Sequence, residues 1–150
     1  MNASVHPILL VEDSPDDALL IQRAFRKANL ANPVQLVRDG EEAVAYLSAT
    51  APYQDRTLFP LPAFMLLDLK LPRRSGLEVL AWVRQQSTVK RLPIVVLTSS
   101  RESVDVNRAY DLGVNSYLTK PVGFEALLEM VKNVNLYWLV LNESPEIPRG

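Results

Sequence analysis

The chain of 150 residues has no cysteine. Disulfides, thiolate metal sites, a cysteine nucleophile and any cofactor tethered through sulfur are thereby excluded. Histidine is almost as scarce. The single one, His6, lies near the N-terminus and reads as an ordinary exposed side chain. A histidine-rich zinc site or a Ser-His-Asp triad would have to rest on it alone, which argues against both. No apolar run approaches the ~20 residues that span a bilayer. The segment before Glu12 lacks the basic start and long apolar stretch of a secretory signal. The expectation is a cytoplasmic protein with no membrane partner. Neither sign of charge dominates: 16 Lys and Arg stand against 17 Asp and Glu, for a net charge of -1. A general polyanion binder is normally basic, so nucleic acid is not an expected partner.

What is present is the balance of a soluble globular domain, with 48% hydrophobic and 22% charged residues. Neither an internal repeat nor a low-complexity linker divides the chain. It reads as one domain over 1–150, with its core from about 7 to 141 and a loose tail over 142–150. Five short apolar runs read as strands: Ile8–Val11, Val34–Val37, Phe64–Leu67, Ile94–Leu97 and Asn115–Leu118. Each is followed by a helical pattern. The first helix starts at Ser14-Pro15-Asp16-Asp17, where a cap, a proline and acids suit the positive end of the dipole. It has Leu19, Leu20, Ala24 and Phe25 on its apolar side. Gly113 is a C-cap for the fourth. The stretch from Ala49 to Pro62 loses periodicity and reads as a surface loop. Five βα units with strands apolar on both faces predict an α/β fold, a doubly wound parallel sheet with helices on both sides.

The ionisable residues fall at strand ends. Glu12 and Asp13 end the first strand, Asp68 the third, Thr98 the fourth and Lys120 the fifth. In an open parallel sheet these ends share one edge, where ligands bind. Three carboxylates gathered there repel, so a positive charge must balance them or one must protonate. A hard divalent cation suits an all-oxygen site, and Mg²⁺ takes one or two carboxylates while keeping waters. Lys120 adds a fixed positive charge. A carboxylate nucleophile, a metal, a hydroxyl and an ammonium are the equipment for phosphoryl transfer to an aspartate.

Four segments, each at a strand end and in this order, carry a resemblance over nearly the whole chain: Val11-Glu12-Asp13; Leu66-Leu67-Asp68-Leu69-Lys70-Leu71-Pro72 with Gly76 beyond; Val96-Leu97-Thr98-Ser99; and Ser116-Tyr117-Leu118-Thr119-Lys120-Pro121. The chain resembles the receiver domain of two-component response regulators. The resemblance implies the flavodoxin-like strand order 2-1-3-4-5. It implies that Asp68 is the phosphoacceptor, that Asp13 ligates Mg²⁺ directly and Glu12 through water, and that the Lys70 carbonyl completes the metal site. Thr98 would turn toward the phosphoryl group, Tyr117 would swing inward behind it, and Lys120 would pair with Asp68 and then with phosphoryl oxygens. Lys120-Pro121 would be a cis peptide. Glu12 stands where the family more often has Asp, and Ser99 where it often has Ala. Lys70 and Ser100 occupy positions that influence the lifetime of the phosphoryl group. With Tyr137-Trp138-Leu139 and the long loop before the third strand, the chain is also similar to the stand-alone regulators that partner phytochrome-type histidine kinases. On that resemblance no output domain follows, and the partner is a sensor kinase of that type.

Plainer readings stand beside these. Glu12 and Asp13 also suit the helix start that follows them, Thr98 a helix cap, Lys120 a solvated lysine and Tyr117 packing. Asp16, Asp17, Glu41 and Glu42 read as solvated surface, as do Arg73 and Arg74, although these two arginines flank the pocket. A haloacid-dehalogenase-like phosphatase would use a similar set, but it wants an acid where Lys70 stands. A flavodoxin-like module would not open its first loop with Glu12-Asp13, which repel a phosphate. A scaffold receiver that takes no phosphate would not need the whole set. The last helix, read from about Gly123 to Leu141, spans about 19 residues and roughly 28 Å, longer than a short sheet covers. Phe124, Leu127, Leu128, Val131, Asn135 and Trp138 should face the sheet. Met130, Val134, Tyr137 and Leu141 lie off that face, and a homodimer is the expected cover, with the tail folding back as the rival.

Overall fold

A computed structural model describes residues 6–30 and 32–147. Five parallel strands, β1 (Ile8–Val11), β2 (Val34–Val37), β3 (Phe64–Leu67), β4 (Ile94–Thr98) and β5 (Ser116–Thr119), lie in the order β2-β1-β3-β4-β5. They alternate with α1 (Pro15–Lys27), α2 (Gly40–Ser48), α3 (Gly76–Gln85), α4 (Ser103–Asp111) and α5 (Phe124–Asn135). The predicted doubly wound sheet is thus the observed one. β1, β3 and β4 are buried along their whole length, as strands covered on both faces must be.

Side chains alternate between two cores. Leu9, Val11, Met65, Leu67, Ile94 and Val96 pack against α2, α3 and α4; Ile8, Leu10, Phe64, Leu66, Val95 and Leu97 pack against α1 and α5. In α1 the buried stripe is Ala18, Ile21, Ala24 and Phe25. Leu19 and Leu20 point outward, a correction to the expected face. Ser14 caps the helix by accepting from Asp17 N–H at 3.2 Å, as its position foretold. Gly113 sits at φ 97° past the end of α4, a conformation that suits glycine.

Three segments and one single residue depart from their sequence reading. The 49–62 stretch is a packed loop: Tyr53 and Leu61 are buried, and Phe59 meets the rings of Tyr46 and Tyr53 edge-on while those two rings are tilted on each other, with centroids 5.0–6.1 Å apart. Arg56 ties it down by donating to the carbonyls of Tyr46 and Leu47 at the end of α2 and to that of Phe59. The last helix continues past Asn135 as π-helical turns over Leu136–Leu141. The tail is docked as far as it is described, with Ile147 buried in the α2-α3-α4 core and Glu146 O accepting from Arg91; residues 148–150 of the expected loose tail lie outside the described residues. Finally, His6 is half-buried rather than exposed, and its carbonyl accepts from the Asn32 side chain.

Candidate functional site

The site sits where β1, β3, β4 and β5 end together. Parallel pairing in register places Val11 beside Leu67 and Thr98 beside Thr119, so the next residues of each strand emerge at one edge. Glu12 (1% exposed), Asp68 (6%) and Thr98 are buried there, while Asp13 is exposed. Carboxylate oxygens of Glu12, Asp13 and Asp68 all lie within 4.8 Å of one another. The local chain fixes each of them. Glu12 N–H donates to Val37 O and Asp68 N–H to Val11 O, both at 3.1 Å. Gly76 lets α3 start against the Asp68 main chain, since a Cβ there would lie 2.1 Å from Asp68 O.

Lys120 reaches into this edge from the end of β5. Its N–H donates to Thr98 O at 2.8 Å. Its Nζ lies 2.7 Å from Glu12 Oε1, 2.8 Å from Asp17 Oδ2 and 3.1 Å from Asp68 Oδ2. Burial alone would lower the lysine pKa, but the hydrogen bonds to Asp17 and Glu12 and the Asp68 charge outweigh it, so the ammonium is held well above its usual range. Burial pushes the Glu12 carboxyl up to about 7; the hydrogen bond from Lys120 opposes this and the Asp68 charge adds to it.

A second group lines the rim. Lys70 N–H donates to Asp68 Oδ1 at 3.3 Å, and its Nζ lies 3.9 Å from Asp105. Ser100 Oγ donates to Asp105 at 2.6 Å, and its N–H lies 3.5 Å from Thr98 Oγ1. The Tyr117 hydroxyl donates to Ser100 O at 3.0 Å, and the half-buried ring packs on the α2-α3-α4 core. Burial raises the Tyr117 pKa, against the hydrogen bond to Ser100.

The structure thus brings Glu12, Asp13, Asp68, Thr98, Lys70 and Lys120 together and sets Tyr117 on the rim beside Ser100. It corrects two readings. The Lys120-Pro121 peptide is trans, the cis bond among the described residues being Ala51-Pro52. Trans is intrinsically favoured by about 0.5–1 kcal/mol for X-Pro bonds, and Lys120 reaches its carboxylates in that form. Two of the supposedly solvated acids are engaged, Asp17 with Lys120 and Glu42 with Arg38 N–H and the Tyr53 hydroxyl, whereas Glu41 is exposed as read, 3.3 Å from Arg74. Arg73 lies 3.6 Å from Asp39.

Three carboxylates with one ammonium leave excess negative charge on an all-oxygen donor set, the chemistry that a hard divalent cation fits. Divalent metal binding is thus the coarse reading of the donor set.

The comparisons agree with this geometry. The family model of the response regulator receiver domain matches residues 8–132. The chain is 41% identical to the response regulator Rcp1 of Synechocystis sp. over 132 residues, 88% of each chain. It is equally 41% identical to the probable methanogenesis regulatory protein FilR2 of Methanothrix harundinacea, over 92% of this chain and 86% of the other. The crystal structure of the phosphorylated cyanobacterial phytochrome response regulator RcpA superposes with a TM-score of 0.86 at 40% identity, covering 94% of this chain and 99% of that one. The Mn²⁺-bound form of Rcp1 gives 0.84 at 39% identity, with the same coverage. These matches set aside the phosphatase and flavodoxin-like readings. No helix among the described residues is long and apolar enough to cross a membrane. The chain belongs to the response regulator receiver domain family, as a homologue of the phytochrome response regulators.

Proposed function

We propose that Asp68 accepts a phosphoryl group from a phosphohistidine of a sensor histidine kinase, in the cytoplasm, with Mg²⁺ at the carboxylates. The observation that carries this reading is the buried Asp68 side chain, with Lys120 Nζ at 3.1 Å and the Glu12 and Asp13 carboxylates beside it. In the transfer, an Asp68 carboxylate oxygen forms the new bond to phosphorus, and the bond from phosphorus to the donor nitrogen breaks. The imidazole leaves with that electron pair and takes a proton from water. Asp13, Asp68, the Lys70 carbonyl and, through water, Glu12 would hold the Mg²⁺, which when bound supplies charge neutralisation to the phosphoryl oxygens. Lys120 holds its ammonium at the same place, and the buried Thr98 hydroxyl serves as a donor from the neighbouring strand. Tyr117, on the rim, is the candidate to report the change toward α4. The likeness to the phytochrome response regulator RcpA, at 40% identity, supports a phytochrome-type kinase as the donor. Hydrolysis of the acyl phosphate by this same site would end the signal.

The test is intact mass after incubation with acetyl phosphate, with and without Mg²⁺, on the wild type and Asp68→Asn. A phosphate-sized gain requiring both Mg²⁺ and Asp68 is expected. No gain from acetyl phosphate or from a phytochrome-type kinase would leave a scaffold receiver.

A homodimer is favoured by Leu136, Tyr137, Val140 and Leu141, which lie exposed on the π-helical turns. Of the four residues first assigned to this surface, Met130 and Val134 are partly buried against the α1-α5 core, so Tyr137 and Leu141 are its exposed members. Light scattering at high concentration should give twice the chain mass, with and without phosphorylation; a monomer mass in both states counts against it.

A further inference from the structure

Three carboxylate oxygens surround the Lys120 ammonium: those of Asp17 and Asp68 accept from its N–H groups at 2.8 and 3.1 Å, and Glu12 Oε1 pairs with it at 2.7 Å. Two of the three belong to groups that do not receive the phosphoryl group, and both are tied to the same residue. Glu12 Oε2 accepts from Ser14 N–H at 3.1 Å, and Asp17 N–H donates to Ser14 Oγ at 3.2 Å. The start of α1 therefore builds a two-point mount for the ammonium. Asp17 stands outside the group of carboxylates close enough to share a metal, so its engagement in the pocket is with Lys120. With one N–H held by Asp17 and the ammonium paired with Glu12, rotation about the Cε–Nζ bond is restricted and another N–H is directed at Asp68.

We infer that Asp17 is a positioning residue for phosphorylation, which together with Glu12 orients the Lys120 ammonium so that its free donor meets the phosphoryl group arriving on Asp68. This rests on the phosphoacceptor reading of Asp68. The physical gain is preorganisation: a donor already aimed at the developing charge costs no reorganisation when the bond to phosphorus forms. A plain helix-terminus acid would do no such thing, and Asp16 supplies the comparison. It is exposed, is an acid of the same helical turn and is not among the ion-pair partners of Lys120, which are Glu12, Asp17 and Asp68.

The experiment is the rate of acetyl-phosphate labelling at saturating donor and Mg²⁺, with the half-saturating Mg²⁺ concentration measured alongside. It covers the wild type, Asp68→Asn, Asp17→Ala, Asp17→Asn, Asp17→Glu and Asp16→Ala. Asp17→Ala should lower the saturating rate by about tenfold, short of the ~100-fold cost of losing a direct transition-state donor. The half-saturating Mg²⁺ should stay unchanged. Asp17→Asn keeps an acceptor oxygen and should fall between; Asp17→Glu should recover most of the rate; Asp16→Ala should match the wild type. Equal rates for Asp17→Ala and the wild type would overturn the inference and leave the reading of Asp68 intact. So would an equal loss in Asp16→Ala, which would reduce the effect to helix-terminal charge. A wild type that takes no label where Asp68→Asn also takes none would overturn the reading of Asp68, and this inference with it.

Discussion

At the end of the sheet away from the carboxylates, Arg84 donates to the carbonyls of Gly113, Lys90 and Leu92 and to the Asn115 side chain, at 2.7–2.9 Å. At the carboxylate end, Lys120 donates to Asp17 and Asp68 and pairs with Glu12, at 2.7–3.1 Å. Arg84 joins the connections that lead into β4 and β5, before those strands start, and the Lys120 ammonium joins the residues that follow β1 and β3, after those strands finish. Their partners differ in kind. Arg84 meets neutral acceptors and ties the α3–β4 and α4–β5 connections into a closed set that needs nothing from outside. Lys120 meets carboxylates that outnumber it, with Asp13 close by, so this end keeps an excess of negative charge. The first arrangement is what stability alone selects. The second is costly in an empty protein and is explained by what it is built to receive.

Removing each cation should separate the two. Lys120→Met leaves buried Glu12 and Asp68 without their counter-charge and should destabilise the metal-free protein by about 3–5 kcal/mol. Arg84→Met leaves four neutral acceptors, some of which water can reach, and should cost about 2 kcal/mol. Urea unfolding with and without millimolar Mg²⁺ sharpens the contrast. Any ligand of the folded state raises its stability. The Mg²⁺-dependent gain should grow in Lys120→Met, where the repelling ammonium is gone, and match the wild type in Arg84→Met. Equal gains in all three proteins would mean that the excess charge is not what draws the cation. A smaller effect is expected of Gly76→Ala. Its Cβ would meet Asp68 O at 2.1 Å and Leu69 Cα at 2.7 Å, so main chain must move, at about 1–3 kcal/mol. The move displaces Asp68 itself, and labelling should fall more than the lost stability explains.

The same contrast shows what a sequence can disclose. The five strands and the residues at their ends were legible because an apolar run followed by a polar residue is a local signal, and parallel topology brings the ends together without further information. Asp17 was not. Its place in the first turn of a helix already accounts for an acid there, and the lysine that uses it lies 103 residues away. Arg84 was equally silent, since an arginine in a helix's last turn needs no tertiary reason. The 49–62 stretch has no period, the mark of a surface loop. Yet Tyr53, Phe59 and Leu61 within it carry too much apolar area to leave in water, and that was the available signal. Leu19 and Leu20 misled for the converse reason: single exposed leucines are normal on a surface, and hydrophobicity alone does not choose the buried stripe.

The smallest effect expected is a dependence on pH confined to the carboxylate end. Glu12 has an ordinary value of 4.5 and is pushed up to about 7 in the fold, chiefly by burial. Between those values the folded chain keeps a proton that the unfolded chain has given up. Stability from this group is therefore complete below about 4.5 and is lost as pH rises through about 7. A divalent cation competes for the same oxygens and needs the ionised form, so its affinity should rise over the same window. Metal-free protein should thus lose stability between pH 5 and 8, on the order of 1 kcal/mol, and saturating Mg²⁺ should flatten or reverse that slope. In Glu12→Gln the slope should vanish, whereas Arg84→Met, which leaves the carboxylates alone, should keep it. A slope that survives in Glu12→Gln would move the titrating group elsewhere, and the two ends of the sheet would then differ in charge but not in their response to protons.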